Sequence, residues 1–171
     1  DAYETEQAMR AAAVTEGPFY IAVAGDTLPI EQPEEERSFE VGKAVVLRPG
    51  YDITVVATGP MVGEALRAGN ILADQGIDAR IVNMHTVKPI DKDAILQAVS
   101  ETRLIITIEE HTVIGGLGGA VAEVLADAGA GVPLKRLGLQ DVFAWMVGSH
   151  QDLKQHFGIT AQAIVEAAHT H

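Results

Sequence analysis

From residue 44 to residue 137 the chain alternates short apolar runs with longer amphipathic stretches. The short runs cover residues 44–47, 53–57, 79–84, 104–108 and 132–137, and they are rich in Val, Ile and Leu. Most are apolar at nearly every position rather than every second one, so they read as strands buried on both faces. Residues 61–75 carry Val62, Ala65, Leu66, Ile71 and Leu72 on one helical stripe. Pro60 fits the first turn of that helix, where its missing N–H costs nothing, and Gly76 ends it. Asp91 is a good N-cap for a helix over 92–100. Further helices are predicted over 120–128 and 161–168. Strands separated by helices of this length form βαβ units with right-handed crossovers. The pattern predicts an α/β fold: three layers, α/β/α, around a mostly parallel five-stranded sheet.

The first 40 residues break this rhythm. Residues 1–15 read as a helix with Ala8, Ala11, Ala12 and Val14 in period, stopped by Gly17-Pro18. Residues 19–23 read as a short strand. Residues 28–40 hold Pro29, Pro33 and Glu34-Glu35-Glu36, with no apolar period, and read as a linker. A helix and one strand cannot bury themselves alone, so residues 1–27 are expected to dock on another body. The regular domain runs over 41–171.

Composition narrows the function classes. The 171 residues carry a formal net charge of −12. That disfavours nucleic acid and anionic membrane faces, which need a basic surface. No apolar run approaches the length of a membrane span. The chain has no cysteine, which excludes disulfides and thiolate metal sites and suits the cytoplasm. No GxSxG, P-loop or CxxC pattern occurs.

Two segments can carry chemistry. In the first, Glu109-Glu110-His111 follows an apolar run, and Gly115, Gly116, Gly118 and Gly119 precede a helix. Ligands of open parallel sheets bind beyond the strands' carboxyl ends, and helix N-terminal amides favour an anion. Two carboxylates beside an imidazole could also work as acid and base. The dinucleotide fingerprint fails, however: after Gly116 and Gly118 its third glycine falls on Val121. A plainer account is a tight turn that packs the next helix close to the sheet, with Glu109–His111 at a strand end or subunit contact. The other segment places His85 and Lys88 after another strand. His85, His111 and Glu109 could suggest a metal, but no i, i+4 ligand spacing or HExxH supports it. A local loop opening a helix at Pro89 and Asp91 explains the same residues, and no metal is expected. His150 and His156 flank a polar helix and read as solvated, and His169 and His171 read as part of a frayed terminus. The apolar run Val142-Phe143-Ala144-Trp145-Met146 reads either as core or as an exposed contact patch.

An ordered series carries a family likeness. Phe39 through Ala44, Ala57-Thr58-Gly59, Asn83 through Asp91, Glu109-Glu110-His111 and Gly115-Gly116-Leu117-Gly118 together resemble the C-terminal domain of transketolases. The likeness is greatest to the C-terminal subunit of split transketolases. It extends to 2-oxoacid dehydrogenase β chains and deoxyxylulose-phosphate synthase. Glu4-Thr5-Glu6 with Gly17 through Ile21 resembles the end of the preceding pyrimidine-binding domain, which implies that most of that domain lies outside this sequence.

The resemblance implies two-carbon ketol transfer between sugars, with thiamine diphosphate and Mg in the complete enzyme and neither on this chain alone. It implies a partner, the N-terminal transketolase domain or subunit, and a homo-oligomer. It assigns no catalytic residue here. Glu109, Glu110, His111, His85 and Lys88 are expected at an interface or the outer substrate channel. Alternative expectations are an independent anion- or nucleotide-binding module using the Gly115–Gly119 turn, and a structural oligomerisation domain. Two departures stand out. Ala22 and Gly25 replace the arginines the family usually carries, and Ala144-Trp145-Met146-Val147 replaces a Gly-rich polar stretch. These departures from the family pattern raise the expectation that substrate preference differs from that of ordinary sugar-phosphate transketolases.

Overall fold

The structure is a computed structural model that describes residues 1–24 and 37–170. Its elements are α1 (Ala2–Val14), β1 (Val45–Arg48), β2 (Ile53–Ala57), α2 (Met61–Asp74), β3 (Ala79–Asn83), α3 (Lys92–Glu101), β4 (Ile105–Thr112), α4 (Leu117–Asp127), β5 (Leu134–Leu139), α5 (His150–His156) and α6 (Ala161–His169). The sheet has five strands in the order β1-β3-β2-β4-β5. Strand β1 runs antiparallel to β3, and the remaining pairs are parallel. The expected three-layer, mostly parallel α/β architecture is the one observed.

Period-2 side-chain alternation divides the core in two. Ile53, Val55, Ile81, Ile106 and Ile108 face α2 and α6. Val56, Val82, Met84 and Ile105 face the other way, against α3 and α4. Strands β2 and β3 are buried along their whole length, which is why their sequences lack polar alternation. Burying one such Ile side chain is worth about 1.5–3 kcal/mol.

Several expectations need correction. Residues 19–23 form no strand: Tyr20 and Val23 are exposed, and nothing pairs with this segment among the described residues. An isolated apolar run without a partner strand has no ladder to satisfy its backbone. Strand β4 extends to Thr112, so Glu109, Glu110 and His111 lie on the strand and not past it. A register shift between Ile108 and Thr112 against β5 lets the strand continue. Helix α4 starts at Leu117, placing Gly118 and Gly119 in its first turn. Strand β5 lies two residues further along than expected, at Leu134–Leu139. Most of the expected linker, with Gly25, lies outside the described residues.

Helix α1 forms, capped by Asp1 onto the Glu4 amide, but it buries none of its residues. Its attachment is polar. Arg37 pairs with Asp1 and lies over the Tyr3 ring, 4.7 Å from its centroid. The Tyr3 hydroxyl donates to the Arg37 carbonyl at 3.1 Å, and Asn83 Nδ2 donates to the Glu4 carboxylate.

Candidate functional site

Strands β2 and β4 are neighbours, yet the chain leaves β2 towards β3 and leaves β4 towards β5. That divergence is the topological switch point where open α/β sheets hold ligands, at the strands' carboxyl ends. Two helix starts converge on this edge, and each is met by a carboxylate of the chain itself.

One is Glu109, only 1% exposed. Its Oε2 accepts the Leu117 amide at 2.6 Å, and its Oε1 accepts the Gly118 amide at 2.7 Å. Helix α4 has no side-chain N-cap of its own, since Gly116 fills that position. Glu109 therefore supplies the negative charge that the helix dipole and unpaired amides attract. Glycine is required at two positions. A Cβ on Gly116 would lie 1.9 Å from Glu109 Oε2, and one on Gly118 would lie 2.8 Å from Thr107 Oγ1. The segment is thus a joint fitted around an internal carboxylate, and the amides an external anion would use are already engaged. Arg136 closes it from β5, donating to the Val113 carbonyl at 3.0 Å.

The other carboxylate is Glu64, in the first turn of α2, which belongs to neither of the candidate segments read from the sequence. It accepts the Ala161 amide at the start of α6 at 3.0 Å and Lys154 Nζ of α5 at 3.1 Å, and it also pairs with Arg67. Burial alone would raise its pKa. The Lys154 and Ala161 hydrogen bonds and the nearby Arg67 charge outweigh that and hold it below the usual carboxylate value. A signal for Glu64 did exist: it sits between Met61 and Ala65 on the apolar stripe, where an unpaired charge would be costly.

The remaining candidates are dispersed. Glu110 is at the surface and pairs with His150, tying β4 to α5. His111 is exposed, with Nδ1 donating to the Thr112 carbonyl at 3.0 Å. His85 follows β3, and β2 lies between β3 and β4, so the His85 and Glu109 strands are not neighbours. Its ring stacks on Phe39, centroids 4.3 Å apart, and Nδ1 meets Thr86 Oγ1 at 2.9 Å. Burial lowers its pKa, and the Glu4 charge offsets this only in part. Lys88 is exposed beside a cis bond to Pro89. Asp91 caps α3 as expected: it accepts the Ala94 amide at 3.1 Å and also the Ala44 amide at 2.9 Å. Among the described residues, no three His, Asp or Glu side chains converge as metal ligands would.

Of the two histidines read as solvated, His156 is exposed as expected and His150 is half-buried. His150 meets Glu110, His156 packs edge-on to Trp145 and Phe157, and His169 Nε2 lies 2.8 Å from Gln75 Oε1. By contrast, Phe143 is 92% exposed, Trp145 80% and Val147 99%. The run after β5 is therefore a surface patch and not core.

Fold and site together define an α/β domain in which two helix starts at the switch-point edge are met by the chain's own carboxylates. The family described as "Transketolase, C-terminal domain" matches residues 42–164, and the chain belongs to that family. It is 43% identical to a "Putative transketolase C-terminal section" of Methanocaldococcus jannaschii, over 97% of this chain and 52% of that protein. It is 46% identical to a "6-deoxy-6-sulfo-D-fructose transketolase subunit" of a Clostridium species, over 90% of this chain and 47% of that one. Among solved structures, "Split gene transketolase, inactive beta4 tetramer" superposes with a TM-score of 0.75 at 38% identity, covering 84% of this chain and 45% of that chain. The chain thus spans about half the length of the curated relatives it matches. No helix among the described residues is long and apolar enough to cross a membrane.

Proposed function

We propose that this chain is the C-terminal part of a thiamine-diphosphate-dependent enzyme of transketolase type, moving two-carbon ketol units between sugars. Its share of the work is assembly and support of the outer substrate channel rather than cofactor binding. Membership of the family and the subunit names of its relatives support the enzyme class. The observation that carries the division of labour is Glu109: the glycine-framed helix start that could have cradled a diphosphate already holds a carboxylate. These residues do not fit thiamine diphosphate or its divalent metal, so no step is routed through either on this chain. The cofactor belongs to a companion N-terminal domain or subunit. Helix α1, with no buried residue, reads as the end of the preceding pyrimidine-binding domain. The cysteine-free composition suits a cytoplasmic enzyme.

Calorimetry tests the reading. Titrating thiamine diphosphate and Mg into this chain alone is expected to give no heat of binding, and adding the companion subunit is expected to restore it. Micromolar binding to the chain alone would overturn the assignment. Self-assembly is an additional reading, favoured by the solved relative described as a beta4 tetramer. Analytical ultracentrifugation checks it, and a monomer at high concentration would remove it.

A further inference from the structure

Helix α1 has 13 residues, too few to be stable by itself in water, yet none of them is buried. Apolar packing therefore does not fix its place. A small cavity separates it from the sheet, with Tyr3 and Glu4 on the helix side and Val45, Leu47 and Asn83 on the other. Its polar contacts to the rest of the chain gather at one end, through Asp1, Tyr3 and Glu4. Arg37 makes two of them, but it lies in the segment leading into β1 and not on the sheet. From the sheet itself the hydrogen bond comes from Asn83, the last residue of β3.

Asn83 is 1% exposed and stands between buried Val82 and Met84, on the same face of β3 as Ile81. For the sheet alone an aliphatic side chain would serve better, because a buried amide is costly unless paired. Here Nδ2 donates to the Glu4 carboxylate, while Oδ1 has no hydrogen-bond partner among the described residues. A carboxylate can only accept, so Glu4 dictates which way the amide turns. The side chain is thus fitted to α1 and not to its own strand. His85 belongs to the same seam, since the Glu4 charge acts on its ring.

We infer that Asn83 is a positioning residue: its side-chain amide fixes where α1 sits over the carboxyl end of β3. Where α1 ends a preceding domain, as proposed above, the same hydrogen bond sets the angle between that domain and the sheet.

A polarity swap tests this. Asn83→Asp sets one carboxylate against another, whereas adding Glu4→Gln gives the new carboxylate an amide to accept from. Hydrogen exchange of the whole chain, read by mass spectrometry over peptides from α1 and from β2, separates docking of the helix from stability of the domain. In the wild-type chain the α1 amides are expected to be protected. Asn83→Asp should speed their exchange by about tenfold or more, the size of one hydrogen bond to a charged group, and the double variant should recover most of that loss. Unprotected α1 amides in the wild-type chain, unchanged exchange in Asn83→Asp, or a double variant no better protected than Asn83→Asp would each overturn the inference. If Asn83→Asp unfolds the whole domain, the double variant still decides: recovered protection in both β2 and α1 supports the pairing, and no recovery overturns it. The cofactor assignment stands or falls separately, by calorimetry.

Discussion

Two stretches of this chain, one at the end of β4 and one after β5, solve opposite problems. At the end of β4 and in the turn that follows, residues 109–118 turn a helix start inward: Glu109 satisfies the Leu117 and Gly118 amides, and glycine at 116 makes room for it. After β5, residues 142–147 turn large apolar side chains outward, with the His156 ring edge-on to Trp145, and with Phe143 and Val147 almost wholly exposed. The stretch after β4 has the composition of a binding loop and is self-contained. The stretch after β5 has a composition that suits core and contact surface equally, and it stays exposed. Ligand-like composition is therefore a poor guide to what remains open, and satisfied hydrogen bonds are a better one.

That contrast is breakable. The largest effect should come from Glu109→Ala, which leaves two buried amides without an acceptor at about 1–3 kcal/mol each. A loss of about 3 kcal/mol in chemical denaturation is expected, and Gly116→Ala should cost a similar amount because its Cβ displaces the same carboxylate. A change below about 0.5 kcal/mol in both variants would show that the joint is not held by Glu109.

Next comes Glu64, whose depressed pKa carries a sign. A carboxylate with a folded-state pKa below its unfolded value stabilises the fold above the unfolded value of 4.5, and that contribution disappears as pH falls through the lower folded value. Acid titration of stability should therefore show a steep loss below pH 4.5, part of which Glu64→Gln removes. An identical acid profile in that variant would refute the clamp.

The smallest effect belongs to the other half of the comparison. Trp145→Ser with Phe143→Ser should alter the stability of the free chain by no more than about 0.5 kcal/mol, as exposed substitutions do. A loss of several kcal/mol would mean that the patch packs against its own chain.

Much of the fold was legible because fully buried strands announce themselves. The run Ile53–Ala57 has no polar face to disguise it, and Asp91 marks the start of α3 by its position. The ends were harder. Nothing local distinguishes Glu109 as a strand residue, since its place depends on a register shift against β5. Residues 19–23 have strand propensity, but a strand also needs a neighbour, and propensity does not supply one. Glu64 escaped notice because its partners, Lys154 and Ala161, lie 90 and 97 residues away. The family likeness rested on short motifs spread over the domain, and each survives as a structural joint: a cap, a turn or a strand end.

The Glu64 clamp has a consequence for how the polypeptide is assembled and trimmed. The carboxylate is buried early in the chain, and its counter-ion and its helix arrive near the end. Until residues 154–161 have been synthesised, Glu64 is a charge on an apolar face with only Arg67 for company. The remaining hydrogen bonds of Glu64 therefore wait on residues 154–161. Deleting α5 and α6 would strand a carboxylate on the buried face of α2. In biosynthetic terms the domain is sealed from its carboxyl end.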